Sequence, residues 1–157
     1  MRFLRWLALL AGLPTLIACA TTPPPDAAAP ATESPAEWEL AQWQSPRFDV
    51  LRSRMPVQGR DVTFDMLNSP ARVTRAEQAA LGEWAEITLT AQRRALDDAA
   101  AVEPPEVIAL GEAARSRHTS NLLALHNGVL SWGEFNRRTL TIDAEYRNAL
   151  ANLRLVR

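Results

Sequence analysis

The 157-residue chain sets 17 basic residues, all of them arginine, against 18 acidic ones, for a net charge of −1. That balance argues against a nucleic-acid binder, which carries a basic field, and a single cysteine excludes an intramolecular disulfide. Abundant Ala, Leu, Glu and Arg beside few glycines and aromatics favour helix over sheet.

The chain opens with Arg2 and Arg5 ahead of an apolar run that ends at Ile17. A basic start, an apolar stretch too short to span a bilayer and small residues before a cut make a secretory signal over residues 1–18. Its removal takes two arginines with it, so the remaining chain is more acidic than the whole. Leu16-Ile17-Ala18-Cys19 resembles the bacterial lipobox. The resemblance implies a diacylglycerol on Cys19, cleavage before it and acylation of the new amine, with the membrane as partner. Several acyl chains hold firmly, at ~0.8 kcal/mol per buried methylene. In that family an aspartate after the cysteine favours the inner membrane. Ala20 stands there, so the expected place is the outer membrane, with the domain facing the periplasm. Residues 19–34 then read as a disordered Pro/Ala/Thr linker, able to reach ~45 Å in polyproline II form at ~3.1 Å per residue.

Residues 35–73 read as short helices and an irregular strap. Ser34-Pro35-Ala36-Glu37 is a capping-box start for a helix to about Gln44. Ser45-Pro46 repeats the signal, and Met55-Pro56 closes the turn that follows. Trp38, Trp43 and Phe48 invite a membrane-surface reading. Glu37, Glu39 and Asp49 oppose it at an anionic surface, and core packing is expected instead. Residues 56–73 hold one helical turn around Phe64 to Leu67, and the apolar density predicts a strap laying Val62, Phe64, Met66 and Leu67 over the core.

Residues 74–157 predict three helices. Thr74-Arg75-Ala76-Glu77 opens the first, to about residue 101, with Leu81, Trp84, Ala85, Thr88, Ala91 and Ala95 on one face. The second begins near Pro105 and ends at Asn127-Gly128, read as a left-handed cap with Val129 folding back on the last turn. Ser131-Trp132-Gly133-Glu134 caps the third, whose stripe is Phe135, Thr139, Ile142, Tyr146, Ala149 and Leu153. Short connections make neighbouring helices antiparallel. The expected fold is all-α: a three-helix antiparallel bundle with N-terminal short helices and a strap, preceded by the linker.

Residues Leu122 to Arg138 resemble the SHOCT module, a helical hairpin of leucines, glycine, an apolar pair, Ser/Thr and an acidic-aromatic pair. That likeness implies oligomerisation. A wider one runs from about residue 51 to 150: Arg54-Met55-Pro56, Met66-Leu67, Thr74 with Glu77, Trp84, and the turn Gly128 to Arg138. These are similar to a group of proteobacterial lipoproteins for which the resemblance implies location and class, not activity.

The candidate interaction residues are Val129, Trp132, Phe135, Arg137 and Arg138. The two arginines with Asn136 suit an anionic partner or headgroup. The simpler reading is hydrated charges paired with Glu134 and Asp143. His118 and His126 lie about 80° apart on a helix, a poor pair for one metal ion. No phosphate loop, nucleophile elbow or other catalytic constellation stands out, so no catalytic residue, metal or cofactor is assigned. Two functions compete. One is a lipid-anchored interaction or scaffold module, with an envelope protein or a second copy as partner. The other is a small-ligand carrier or sensor, with an apolar pocket between bundle and strap lined by Phe64, Met66, Trp84 and Tyr146. An enzyme would need a pocket gathering His118 with an acid from the strap.

Overall fold

A computed structural model describes residues 33–155. The signal, Cys19 and all but the end of the linker lie outside the described residues. The fold is all-α. Helices α1 (Pro35–Trp43), α2 (Asp49–Arg52) and α3 (Phe64–Asn68) are short, and single 3-10 turns at Pro46–Phe48 and Gly59–Asp61 join them. Helices α4 (Arg75–Ala100), α5 (Pro105–His126) and α6 (Trp132–Leu155) are long.

The starts fall where the capping residues stand. Ser34 accepts from the backbone of Glu37, whose carboxylate accepts from the Ser34 N–H at 2.9 Å. Thr74 and Glu77 repeat this at α4, and Ser131 with Glu134 at α6. Each box satisfies amide groups that have no partner inside the helix. Gly128 takes a positive φ of 68°. The Val129 N–H donates to the Ala124 carbonyl at 2.9 Å and the Gly128 N–H to that of Leu125 at 2.8 Å, which is a Schellman cap. The residue that folds back is not Val129, which is 63% exposed, but Leu130, at 3%. The reversal turns one residue later than the pattern predicts.

Helix α5 packs along both α4 and α6, while α1 and α2 lie on α4 and α3 lies on α6. Asn121, buried in α5, donates to the Phe135 carbonyl and the Thr139 hydroxyl, both at 3.0 Å, and fixes α5 against α6. Trp43, Phe48 and Trp84 form an aromatic cluster, with Trp43 and Trp84 centroids 4.5 Å apart and Phe48 edge-on to Trp84 at 5.3 Å. All three are buried, so Trp43 and Phe48 join the short N-terminal helices to the bundle core. Trp38 instead lies beneath the Arg94 guanidinium at 5.5 Å.

The strap is tied to the first turn of α6. Trp132 N–H donates to the Ala71 carbonyl at 2.9 Å and Gly133 N–H to that of Ser69 at 3.0 Å. The buried Asn136 amide donates to the carbonyls of Arg54 (2.8 Å) and Met66 (3.0 Å), and Arg137 donates to that of Leu67. Arg72 reaches the carbonyls of Gly128 and Val129, and pairs with Ser131 in an isolated antiparallel bridge. Arg54 also forms an ion pair with Glu77 at 2.8 Å, joining the strap to the cap of α4. Phe64, expected over the core, is 79% exposed. The strap is held by its carbonyls rather than by that ring.

Gly133 is indispensable for this contact. A Cβ there would sit 2.6 Å from the Leu67 carbonyl oxygen and 2.8 Å from that of Ser69, both backbone atoms that cannot swing away. Gly133→Ala is expected to cost about 1–3 kcal/mol, measured by urea unfolding. Gly82→Ala, where a Cβ meets nothing within 4 Å inside α4, is expected to gain about 0.5–1 kcal/mol. Equal and small effects at both sites would refute the backbone contact.

Candidate functional site

The strap does not close completely on the bundle. Between them lies a cleft of about 180 Å³. Its inner wall is Trp84, Leu122 and Phe135 with Met55 and Val57 of the strap, and its polar groups are Glu39, Thr88, Gln92, His118, Asn136, Thr139 and Asp143, the Asn136 amide nitrogen being already engaged by the Arg54 and Met66 carbonyls. The apolar pocket expected at this place is therefore a mixed one. Of the four lining residues named from the sequence only Trp84 takes part.

Helical register delivers the polar set. Thr88 and Gln92 are one turn apart on α4, and Thr139 and Asp143 one turn apart on α6, so each pair faces the same way. His118 comes from α5 and Glu39 from α1. Glu39 accepts from the Thr88 hydroxyl at 2.8 Å. Burial raises the Glu39 carboxyl above its ordinary range, and the Thr88 hydrogen bond offsets this only in part. His118 Nε2 lies 3.0 Å from Asp143 Oδ1. A carboxylate only accepts, so Nε2 is the donor. Oε1 of Gln92 is buried without a hydrogen-bond partner among the described residues.

Asp143, expected beside Arg137 and Arg138, faces His118 instead. Histidine and acids do meet, but the acids come from α1 and α6, not the strap. No hydroxyl is hydrogen-bonded to His118 among the described residues. His126 lies elsewhere, against an apolar groove with Leu81, Leu89 and Leu123 between α4 and α5. Among the described residues no three metal-ligating side chains come together, and no helix is long and apolar enough to cross a membrane.

The interaction residues expected in the α5–α6 hairpin divide. Trp132 is fully buried and Phe135 is 5% exposed, with their rings edge to face at 6.2 Å. Both are core residues because α6 turns that side toward α5 and the strap, so neither offers a contact surface. Val129 points outward beside the turn, and Leu123, six residues earlier on α5, is also exposed. Arg137 and Arg138 join Arg117 along a groove of about 410 Å³ on the other side of α5 and α6, edged by Ser116, Ser120 and Thr141. Arg117 is held by Glu145 and Arg137 by the Leu67 carbonyl, while Arg138 lies near Glu134.

Compared with known proteins, the chain matches no family model, no curated protein and no solved structure. The likenesses to the lipobox, the SHOCT hairpin and the lipoprotein group rest on their own residues alone.

Two carboxylates, one half-buried and one buried, respond to pH with opposite sign. Glu39 is raised, so its favourable share is present at low pH and lost as pH rises through its folded value. For Glu77 burial pushes upward, but hydrogen bonds from Thr74 and Arg54 outweigh it and the carboxyl is lowered. Its share is present above the unfolded value and lost as pH falls through the folded one. Glu39→Gln should raise the urea midpoint near pH 7, with the gain vanishing near pH 4. Glu77→Gln should lower the midpoint near pH 7 and flatten the acid side of the profile. Parallel shifts in both variants would contradict these assignments.

Proposed function

We propose that the chain is a lipid-anchored protein of the bacterial cell envelope, held through Cys19, whose helical domain works as an interaction module for an envelope partner. The observation that carries this reading is the arginine groove on α5 and α6. Guanidinium forks match carboxylates in a bidentate way. Arg117 and Arg137 are already held by neighbours, which reduces the ordering that binding would cost. The chain as a whole is slightly acidic, so a local cluster of three arginines selects for a particular acidic surface rather than for any polyanion. A linker beginning at the lipidated cysteine would give the domain reach from the membrane, and Ala20 after the cysteine favours the outer membrane. A second copy of the chain is the other partner this groove would serve.

The test combines fractionation with crosslinking. Wild type is expected in the membrane fraction with lipid label on Cys19, and Cys19→Ser in the soluble fraction. A photoreactive residue at position 141 should yield one salt-sensitive adduct with an envelope protein, lost in Arg138→Glu while the circular dichroism stays unchanged. Membrane retention of Cys19→Ser without lipid label would overturn the anchor. An adduct indifferent to Arg138→Glu would overturn the groove, and a self-adduct would make the partner a second copy.

A second reading, a domain that holds a small ligand, is favoured by the cleft between strap and bundle.

A further inference from the structure

The cleft of about 180 Å³ compares with the ~150 Å³ cavity that takes a benzene molecule. It therefore suits a ligand of about six heavy atoms. Its polar chemistry is unbalanced. Among the described residues the Glu39 carboxylate takes one donor, the Thr88 hydroxyl. Gln92 Oε1 is buried and takes none among them. Asp143 takes one from His118. Among the described residues no arginine lines the cleft, and the chain contains no lysine. Buried acceptors without donors cost free energy, about 1–3 kcal/mol each and more where charged. The aromatic faces of Trp84 and Phe135 form part of the wall, and such faces attract cations.

Resting on the reading of the cleft as a ligand site, we propose that it binds a short aliphatic amine or diamine, its ammonium donating to Glu39 and Gln92 and its chain lying along Trp84 and Phe135. An ammonium brings three donors and no acceptor, which is what this lining lacks. A carboxylate or phosphate would meet two acidic side chains and an amide oxygen. A second ammonium at the far end of a diamine would find Asp143 on α6. The protein's own groups supply the binding, and no bond is made or broken.

The experiment is calorimetric titration of the full-length protein in detergent with diaminobutane, and separately with butanediol and succinate, which match it in length. Saturable binding of the diamine, with at least tenfold weaker or no binding of the diol and the diacid, is expected. Glu39→Gln should weaken the diamine by tenfold or more, and Asp143→Asn should weaken the diamine while leaving butylamine unchanged. Melting curves of both variants without ligand establish that they fold. If either fails to fold, Gln92→Leu replaces it, with the same loss of diamine binding expected. If the diol binds as well as the diamine, the cleft is a ligand site but the cationic class is wrong. If none of the three binds at millimolar concentration to the folded protein, both the class and the ligand reading fall. Binding of the diamine that is unchanged in every variant would place it elsewhere on the chain and overturn the proposal.

Discussion

The carbonyls of Leu67 and Ser69 lie so close to the Cα of Gly133 that no side chain fits between them. Much of the fold depends on that approach. It brings the amides of Trp132 and Gly133, which open α6 and have no helical partner, to the carbonyls of Ala71 and Ser69. It also brings Asn136 within reach of Arg54 and Met66. One turn of one helix thus holds four carbonyls of the strap. Arg54 passes the link on to Glu77 and the start of α4. Apolar packing of Trp43, Phe48 and Trp84 joins the short helices to the same core, but it is not directional. The hydrogen-bonded turn sets the register in which that packing occurs.

The same fixation explains why a cleft remains. The strap is carried by backbone carbonyls at Arg54, Met66, Leu67, Ser69 and Ala71, while the stretch between the first two, with Val57, Gly59 and Val62, spans the gap over α4, α5 and α6. Beneath that span lie polar side chains at inward helical positions. A domain needing only stability would place apolar residues there, because buried acceptors without donors are costly. Among the described residues Gln92 Oε1 takes no donor there, while Glu39 and Asp143 take one each, from Thr88 and His118.

Much of the fold is legible in the residues. Three capping boxes, two proline starts and the Asn-Gly turn mark helix ends, and the period of Phe135 to Leu153 marks the buried face of α6. Local chemistry decides those features, so the pattern is sufficient. The exact fold-back residue is not legible, since Val129 and Leu130 are both apolar and only the packing selects Leu130. Nor is the fate of Phe64, which follows from a strap held by its backbone. For the site, Trp132 and Phe135 read equally well as core or contact surface, and burial decides for core. The cleft was half visible. Thr139 was placed on the inward stripe of α6, and Asp143 is its neighbour one turn on, as Gln92 is of Thr88. A polar residue one turn after an inward threonine is the signal. Glu39 gives none, because its partner Thr88 is 49 positions away.

Hydrogen exchange at the amides of Trp132 and Gly133 tests the central claim most directly. If the strap is locked to the start of α6, both amides should exchange only through global unfolding, with an opening free energy equal to that from urea denaturation and as high as any amide in α5. Exchange at either amide through a local opening of markedly lower free energy, while the middle of α6 stays protected, would show that the strap lifts independently. The turn would then not be what holds the fold in register.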